Sequence, residues 1–227
     1  MKKQIIGICM MMVILIVGLS GCNQQNSLSD QSDIQSNPPT TESVGTILSK
    51  ADSIESMYYE ISMSITMPEY GTQTALMKIW QKKPYLKEQI TSAAGGMTTS
   101  IAVIQRPDGT YVYDTTQGKY VLTAEVPSYV TALQYFDSAM MKDLLNNQSF
   151  TEFKAEFIDG KKATVLEYTL PLQGENLMTI KLWIWNEKGV PLKAYMDMTM
   201  EEMTMTMDFI FGNYSFSDIP DSTFTVT

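Results

Sequence analysis

The chain has 227 residues, of which 44% are hydrophobic and 18% charged, and its formal net charge is -9. That length suits one domain with a sizeable core, and the acidic balance excludes nucleic acid as a partner, because phosphate binding needs a basic face. With no histidine and a single arginine, Arg106, the chain lacks Ser-His-Asp and Cys-His catalysis, the commonest zinc ligand and a multi-arginine phosphate clamp; the expectation is a binding protein, not an enzyme, with no cofactor.

Lys2 and Lys3 precede an apolar run from Ile5 to Leu19, which ends in Leu19-Ser20-Gly21-Cys22. A basic start, a short apolar stretch and small residues before a cleavage point make a secretory signal peptide, predicted over 1–21. The run is short for a membrane span of roughly 20 residues. The Leu-Ser-Gly-Cys ending resembles a prokaryotic lipobox. It implies cleavage before Cys22 and lipidation of that residue, with palmitate-type chains holding the protein on the extracytoplasmic face of the cell membrane. Two or three such chains anchor firmly, at about 0.8 kcal/mol per buried CH₂. Cys9 leaves with the signal peptide, so Cys22 has no intrachain disulfide partner. From Asn23 to Glu42 the chain is polar and Ser/Gln-rich, with Pro38-Pro39 near its end. It cannot bury enough to offset its ordering entropy, so 22–42 is predicted to be a lipidated, flexible tether to a domain over 43–227.

Val44, Ile47, Leu48, Ala51 and Ile54 recur at helical spacing and predict a helix over 43–56. From Tyr58 the period becomes two. Tyr59, Ile61, Met63, Ile65 and Met67 share one face, and Tyr58, Glu60, Ser62, Ser64 and Thr66 the other, which is the pattern of a half-buried antiparallel strand. Further strands are predicted at 72–81, 85–92, 97–105, 111–114 and 119–123, separated by turn signals such as Arg106-Pro107-Asp108-Gly109. A second helix is predicted over 128–146, where Val130, Leu133, Phe136, Met140, Met141, Leu144 and Leu145 keep a helical spacing. Strands resume at 150–158, 162–170, 177–185, 192–200 and 203–211, with Asp159-Gly160, Gly189 and Glu201-Glu202 at turns. The sum is an α+β protein: about eleven strands in one strongly curved antiparallel sheet, an incomplete β-barrel wrapped on two helices. Hairpin-length connections set the antiparallel sense.

The chain carries 18 methionines. Met196, Met198 and Met200 alternate on one strand, and Met203, Met205 and Met207 on the next, followed by Phe209. If Glu201-Glu202 is the turn, the six methionines lie side by side. Three readings stay open: ordinary core packing, a deformable wall for an apolar ligand, or a soft-metal site in which thioethers bind Cu(I). Trp80, Trp183 and Trp185 either pack across strands or line a cavity mouth.

Trp80-Gln81-Lys82-Lys83-Pro84-Tyr85, then Trp183-Ile184-Trp185 with Gly189-Val190-Pro191-Leu192-Lys193, then Ile219-Pro220-Asp221-Ser222-Thr223-Phe224 follow one another after the tethered helix. In this order they resemble the LolA-like superfamily, which includes the carrier LolA, the sensor RseB and the mycobacterial LppX and LprG lipoproteins. The resemblance covers roughly 44–227 and implies a barrel-like sheet that encloses acyl chains of lipids or lipoproteins, for transport or sensing. Its expected cavity lining is Met63, Ile65, Met196, Met198, Met200, Met203, Met205, Met207 and Phe209. An anchored monomer, rather than a soluble shuttle, is expected, with a membrane protein as partner under the sensor reading. The carrier's functional arginine has no counterpart here, since Arg106 falls in a predicted turn.

Overall fold

The computed structural model describes residues 42–226 apart from 69–70, 95–96, 124–140, 143–149, 172–176 and 201–202. The predicted signal peptide, Cys22 and the tether lie outside the described residues. Helix α1 spans Val44–Ser49, and a 3-10 turn, Lys50–Ser53, continues it. Ser43 caps α1, its side chain accepting from the Thr46 amide at 3.2 Å. The helix stops short of the predicted residue 56. Ser49 Oγ donates to the Gly45 carbonyl and Ser53 Oγ to the Lys50 carbonyl, both at 2.8 Å. Such serine bonds compete with the helical ladder, and Ile54 is already extended (φ -81°, ψ 111°) as the chain enters the first strand.

Eleven strands follow: β1 Ser56–Met67, β2 Gly71–Lys82, β3 Tyr85–Ala94, β4 Met97–Arg106, β5 Gly109–Asp114, β6 Lys119–Thr123, β7 Phe150–Ile158, β8 Lys161–Pro171, β9 Leu177–Trp185, β10 Pro191–Met200 and β11 Met203–Ser215. They form one sheet in the order β6-β5-β4-β3-β2-β1-β11-β10-β9-β8-β7, every pair antiparallel. The first and last strands of the chain's sheet-forming run, β1 and β11, meet in the middle. Strands β6 and β7 are left as edges, so the curved sheet is an incomplete barrel. The α+β architecture and the strand count are those expected from the sequence. Of the second predicted helix, Met141 and Lys142 are described, and both are helical.

The inner face is set by period two. Residues directly opposite one another point to the same side, which ties Tyr59, Ile61, Met63, Ile65 and Met67 of β1 to Ala75, Met77 and Ile79 of β2 and to Met207, Phe209 and Phe211 of β11. Val44, Ile47 and Leu48 of α1 pack onto this face with Met141 in one continuous core cluster. Ile47 and Leu48 are fully buried, each contributing ~1.5–3 kcal/mol. Gly189, at φ 72°, lets α1 approach: its Cα lies against the Ile47 and Leu48 carbonyls, with no room for a side chain.

The outer face carries two smaller clusters. One unites Ala163, Val165, Trp183 and Leu192 over β8–β10. In the other, Ile219 and Phe224 of the C-terminal segment cover Ile104 beside Trp80 and Tyr85.

Candidate functional site

Strands β10 and β11 pair so that Met196 faces Met207, Met198 faces Met205 and Met200 faces Met203. The methionine alternation in the sequence therefore becomes a ladder. Across the other edge of β10, Met198 faces Met178 and Met196 faces Ile180 of β9. Across β11, Ile65 faces Met207 and Met63 faces Phe209. One row thus runs Ile65, Met207, Met196, Ile180, Tyr168 across five strands. Opposed side chains in such rows lie about 4.5–5.5 Å apart at Cβ, so the ladder is one connected surface. Met198 and Met205 are its deepest points, 1% exposed each, and Met63 is half-buried. The structure brings together the predicted lining residues Met63, Ile65, Met196, Met198, Met205, Met207 and Phe209; Met200 and Met203 extend the register.

The tryptophans stand elsewhere. Trp183 and Trp185 alternate with Leu182 and Ile184, which belong to the inner cluster, and so face outward. Trp183 Nε1 donates to Glu156 Oε2 at 2.8 Å, and the ammonium groups of Lys181 and Lys193 lie 5.1 and 5.0 Å from its ring centroid. Trp80 packs beside Tyr58, ring centroids 5.2 Å apart, under the C-terminal segment. Of the two readings of the indoles, the structure gives packing across strands: period two puts all three on the opposite side from the methionines. Arg106 is held by Asp108, Nε to Oδ1 at 2.9 Å and Nη2 to Oδ2 at 3.1 Å, at the end of β4.

Sequence reasoning passed over Glu88. On β3, Leu86, Glu88 and Ile90 alternate on the inner side, and the register sets Glu88 between Ile79 of β2 and Val103 of β4. Glu88 is 2% exposed, and its Oε2 is buried with no hydrogen-bond partner among the described residues. Burial alone pushes its carboxyl up to about 8. An unpartnered buried polar atom costs ~1–3 kcal/mol. The signal was available: an acidic residue in the apolar parity of a strand.

A second carboxylate is placed quite differently. Glu60, on the outer side of β1, accepts from the Tyr58 hydroxyl and, at 2.7 Å, from Asn213 Nδ2. Those two bonds hold it below the usual carboxylate range. Tyr58 is pushed up to about 12, first by burial and then by its bond to Glu60. This network pins a bulge: between the β1 pairs Tyr58–Ser215 and Glu60–Gly212, β11 carries an extra residue, with Asn213 at φ 52°. An open groove of about 730 Å³ also lies on the outer face, floored by Ser62, Ser64, Thr74, Thr91 and Ala93.

No His, Cys, Asp or Glu cluster suited to a metal occurs among the described residues, and no described helix is long and apolar enough to cross a membrane. No protein-family model and no curated protein matches the sequence. Solved structures similar to it include a LolA superfamily protein from Nitrosomonas europaea, at 15% identity and TM-score 0.41, over 82% of this chain and 98% of that one. LprF from Mycobacterium bovis is similar at 13% identity and TM-score 0.44, over 78% and 94% of the two chains. The Pseudomonas aeruginosa MucA/MucB complex is similar at 12% identity and TM-score 0.46; the chain covers 61% of the length it matches there, with 81% of itself aligned.

Proposed function

We propose that this chain is an extracytoplasmic lipoprotein, anchored through acyl chains on Cys22, that holds acyl chains of lipids or lipoproteins against the methionine ladder on the inner face of its sheet. The observation that carries the reading is the in-register pairing of Met196, Met198 and Met200 with Met207, Met205 and Met203. Thioether side chains are unbranched and polarisable, so a wall of them repacks around chains of varied shape. Burying about ten CH₂ groups would gain roughly 8 kcal/mol. Micromolar affinity needs about 8.2 kcal/mol net of ordering costs, so a longer chain or a second acyl chain must be buried to reach it by hydrophobic capture alone. Ladder residues as buried as Met198 and Met205 must part from their neighbours to admit a chain, which suits the flexible thioether.

Delipidated full chain, reloaded with a diacyl lipid and weighed by native mass spectrometry, tests this. Retention of one lipid per chain is expected, and no retained lipid would overturn the reading. Loss of acyl labelling in Cys22→Ser tests the anchor.

A second reading is favoured by one row of the ladder. Met178, Met198 and Met205 stand opposite one another on three successive strands, and three thioethers are a donor set suited to Cu(I). Cu(I) titration of the wild type and of Met198→Leu/Met205→Leu decides it. Binding by the first alone supports a copper site; binding by neither removes it.

A further inference from the structure

The register puts Glu88 on the inner face between two strands of the core, opposite Ile79 and Val103, each 1% exposed. Its strand neighbours on that face, Leu86 and Ile90, pack against the same cluster that contains the methionine ladder. Apolar surface continues from the ladder to this carboxyl through Met77 and Ile79. Gln81 and Gln105, the diagonal neighbours on the face, pair with Leu86 rather than with Glu88. Among the described residues no donor or acceptor reaches Glu88 Oε2. A leucine at this place would continue the wall, and would spare the fold an unsatisfied polar atom. The carboxyl is therefore a cost to the empty protein that a ligand can relieve.

We propose that Glu88 is the polar anchor of the site and binds the carbonyl group at the head of an ester- or amide-linked acyl chain. This rests on the lipid-binding reading above and names the chemical class of the cargo's polar end. At neutral pH the buried group keeps its proton, so it is an O–H donor, and the acceptor it lacks is a neutral carbonyl oxygen. No cation is needed, and none on β2 or β4 faces it: the residues opposite are Ile79 and Val103, with Met77, Gln81, Ile101 and Gln105 diagonal to them. An ammonium headgroup would instead require an ionised carboxylate in an apolar surrounding, which burial disfavours. The acyl carbonyl is common to glycerolipid esters and to the N-acyl group of a lipoprotein, and the two sources are separated by the choice of probe.

The test uses delipidated full chain, wild type, Glu88→Gln and Glu88→Leu. Each is loaded with a diacylglycerol, with its dialkyl ether analogue, which lacks the carbonyls, and with an N-acylated lipopeptide. Wild type is expected to prefer the ester over the ether by about tenfold, the value of one hydrogen bond of ~1.4 kcal/mol. Glu88→Gln should keep the preference, since its amide still donates. Glu88→Leu should bind ester and ether equally, with ether affinity unchanged or improved. A lipopeptide preference lost in parallel would assign the lipoprotein source; an effect confined to the glycerolipid would assign the other. A merely structural Glu88 would shift the melting temperature and leave the ester-to-ether ratio alone. Retention of the ratio in Glu88→Leu would overturn the anchor while leaving lipid binding intact. No uptake of any probe by wild type would overturn the lipid reading and the anchor together.

Discussion

Met198 on β10 stands directly opposite Met205 on β11, and both are 1% exposed. The pair is closed off from solvent within the inner face, so its volume and its chemistry can be separated by mutation. Met198→Leu and Met205→Leu nearly conserve volume and should each cost less than about 1.5 kcal/mol. Met198→Ala leaves a cavity and should cost ~2–5 kcal/mol. Urea denaturation measures both. The double leucine variant should still take up acyl chains, but over a narrower range of lengths and branching, because leucine repacks less freely than methionine. Equal tolerance of bulky and straight chains by both proteins would count against the ladder as an adaptable wall.

Gly189 tests how α1 is held. At φ 72° a side chain is strained there, by about 1–2 kcal/mol. A Cβ would also press on the Ile47 and Leu48 carbonyls and the Ala51 amide, the last two at 3.2 and 3.0 Å. Overpacking of this kind adds ~1–3 kcal/mol. Gly118 has a similar φ, 66°, but nothing within 4 Å of its Cβ direction. Gly189→Ala should therefore lower the thermal midpoint clearly more than Gly118→Ala. Equal losses would mean that α1 does not rest on the β9–β10 turn.

Stability should depend on pH in two opposite senses. Glu88 is raised to about 8 in the folded chain, above the ordinary carboxyl value near 4.5 that it takes when unfolded. Between these values the folded protein holds one more proton than the unfolded chain. Glu88's contribution is thus complete below about pH 4.5 and is lost as pH rises toward 8, by at most about 1.4 kcal/mol per unit. Glu60 is lowered, by its bonds from Tyr58 and Asn213. Its contribution is complete above the unfolded value and is lost as the solution is acidified. Wild type should melt progressively lower from pH 5 to pH 8, and Glu88→Gln should flatten that slope without altering the acid limb. Persistence of the slope in Glu88→Gln would assign it to another group.

Much of this arrangement was legible in the sequence, because two-residue alternation is a direct statement about faces. Tyr59 to Met67, and the paired runs from Met196 and Met203, fell on the sides that the alternation demanded, with Met200 in register with Met203. The end of α1 was less legible. Ala51 and Ile54 keep the apolar spacing, but Ser49 and Ser53 divert the backbone carbonyls that a longer helix would use. The bulge at Asn213 shifts the parity of β11, so that Tyr214 stacks on Tyr59 at 5.4 Å between centroids instead of pointing outward. Period counting carries no warning of that. Glu88 was passed over for a different reason: its place between Leu86 and Ile90 marks the apolar side, but only the pairing with Ile79 and Val103 shows how completely that side is covered.

The residues that carry the LolA-like resemblance prove to be holding residues. The C-terminal segment lies across the outer side of β3 and β4, with Phe224 stacked on Tyr85 at 5.5 Å and Ile219 buried. The Ile219 amide donates to Ser56 Oγ at 3.0 Å, and Lys82 Nζ donates to the Ile219 carbonyl at 2.8 Å. The segment thus clasps the start of β1 to the end of β2. Phe224 is 3% exposed, and Phe224→Ala should cost ~3–5 kcal/mol. Asp221 also meets Lys82, at 2.8 Å, but its side chain is open to solvent. Asp221→Asn should leave the urea midpoint nearly unchanged, because water screens such a pair. If the clasp is held by packing, the aromatic variant unfolds far earlier than the charge variant. The reverse order would mean that ion pairing, rather than Phe224, closes the outer face.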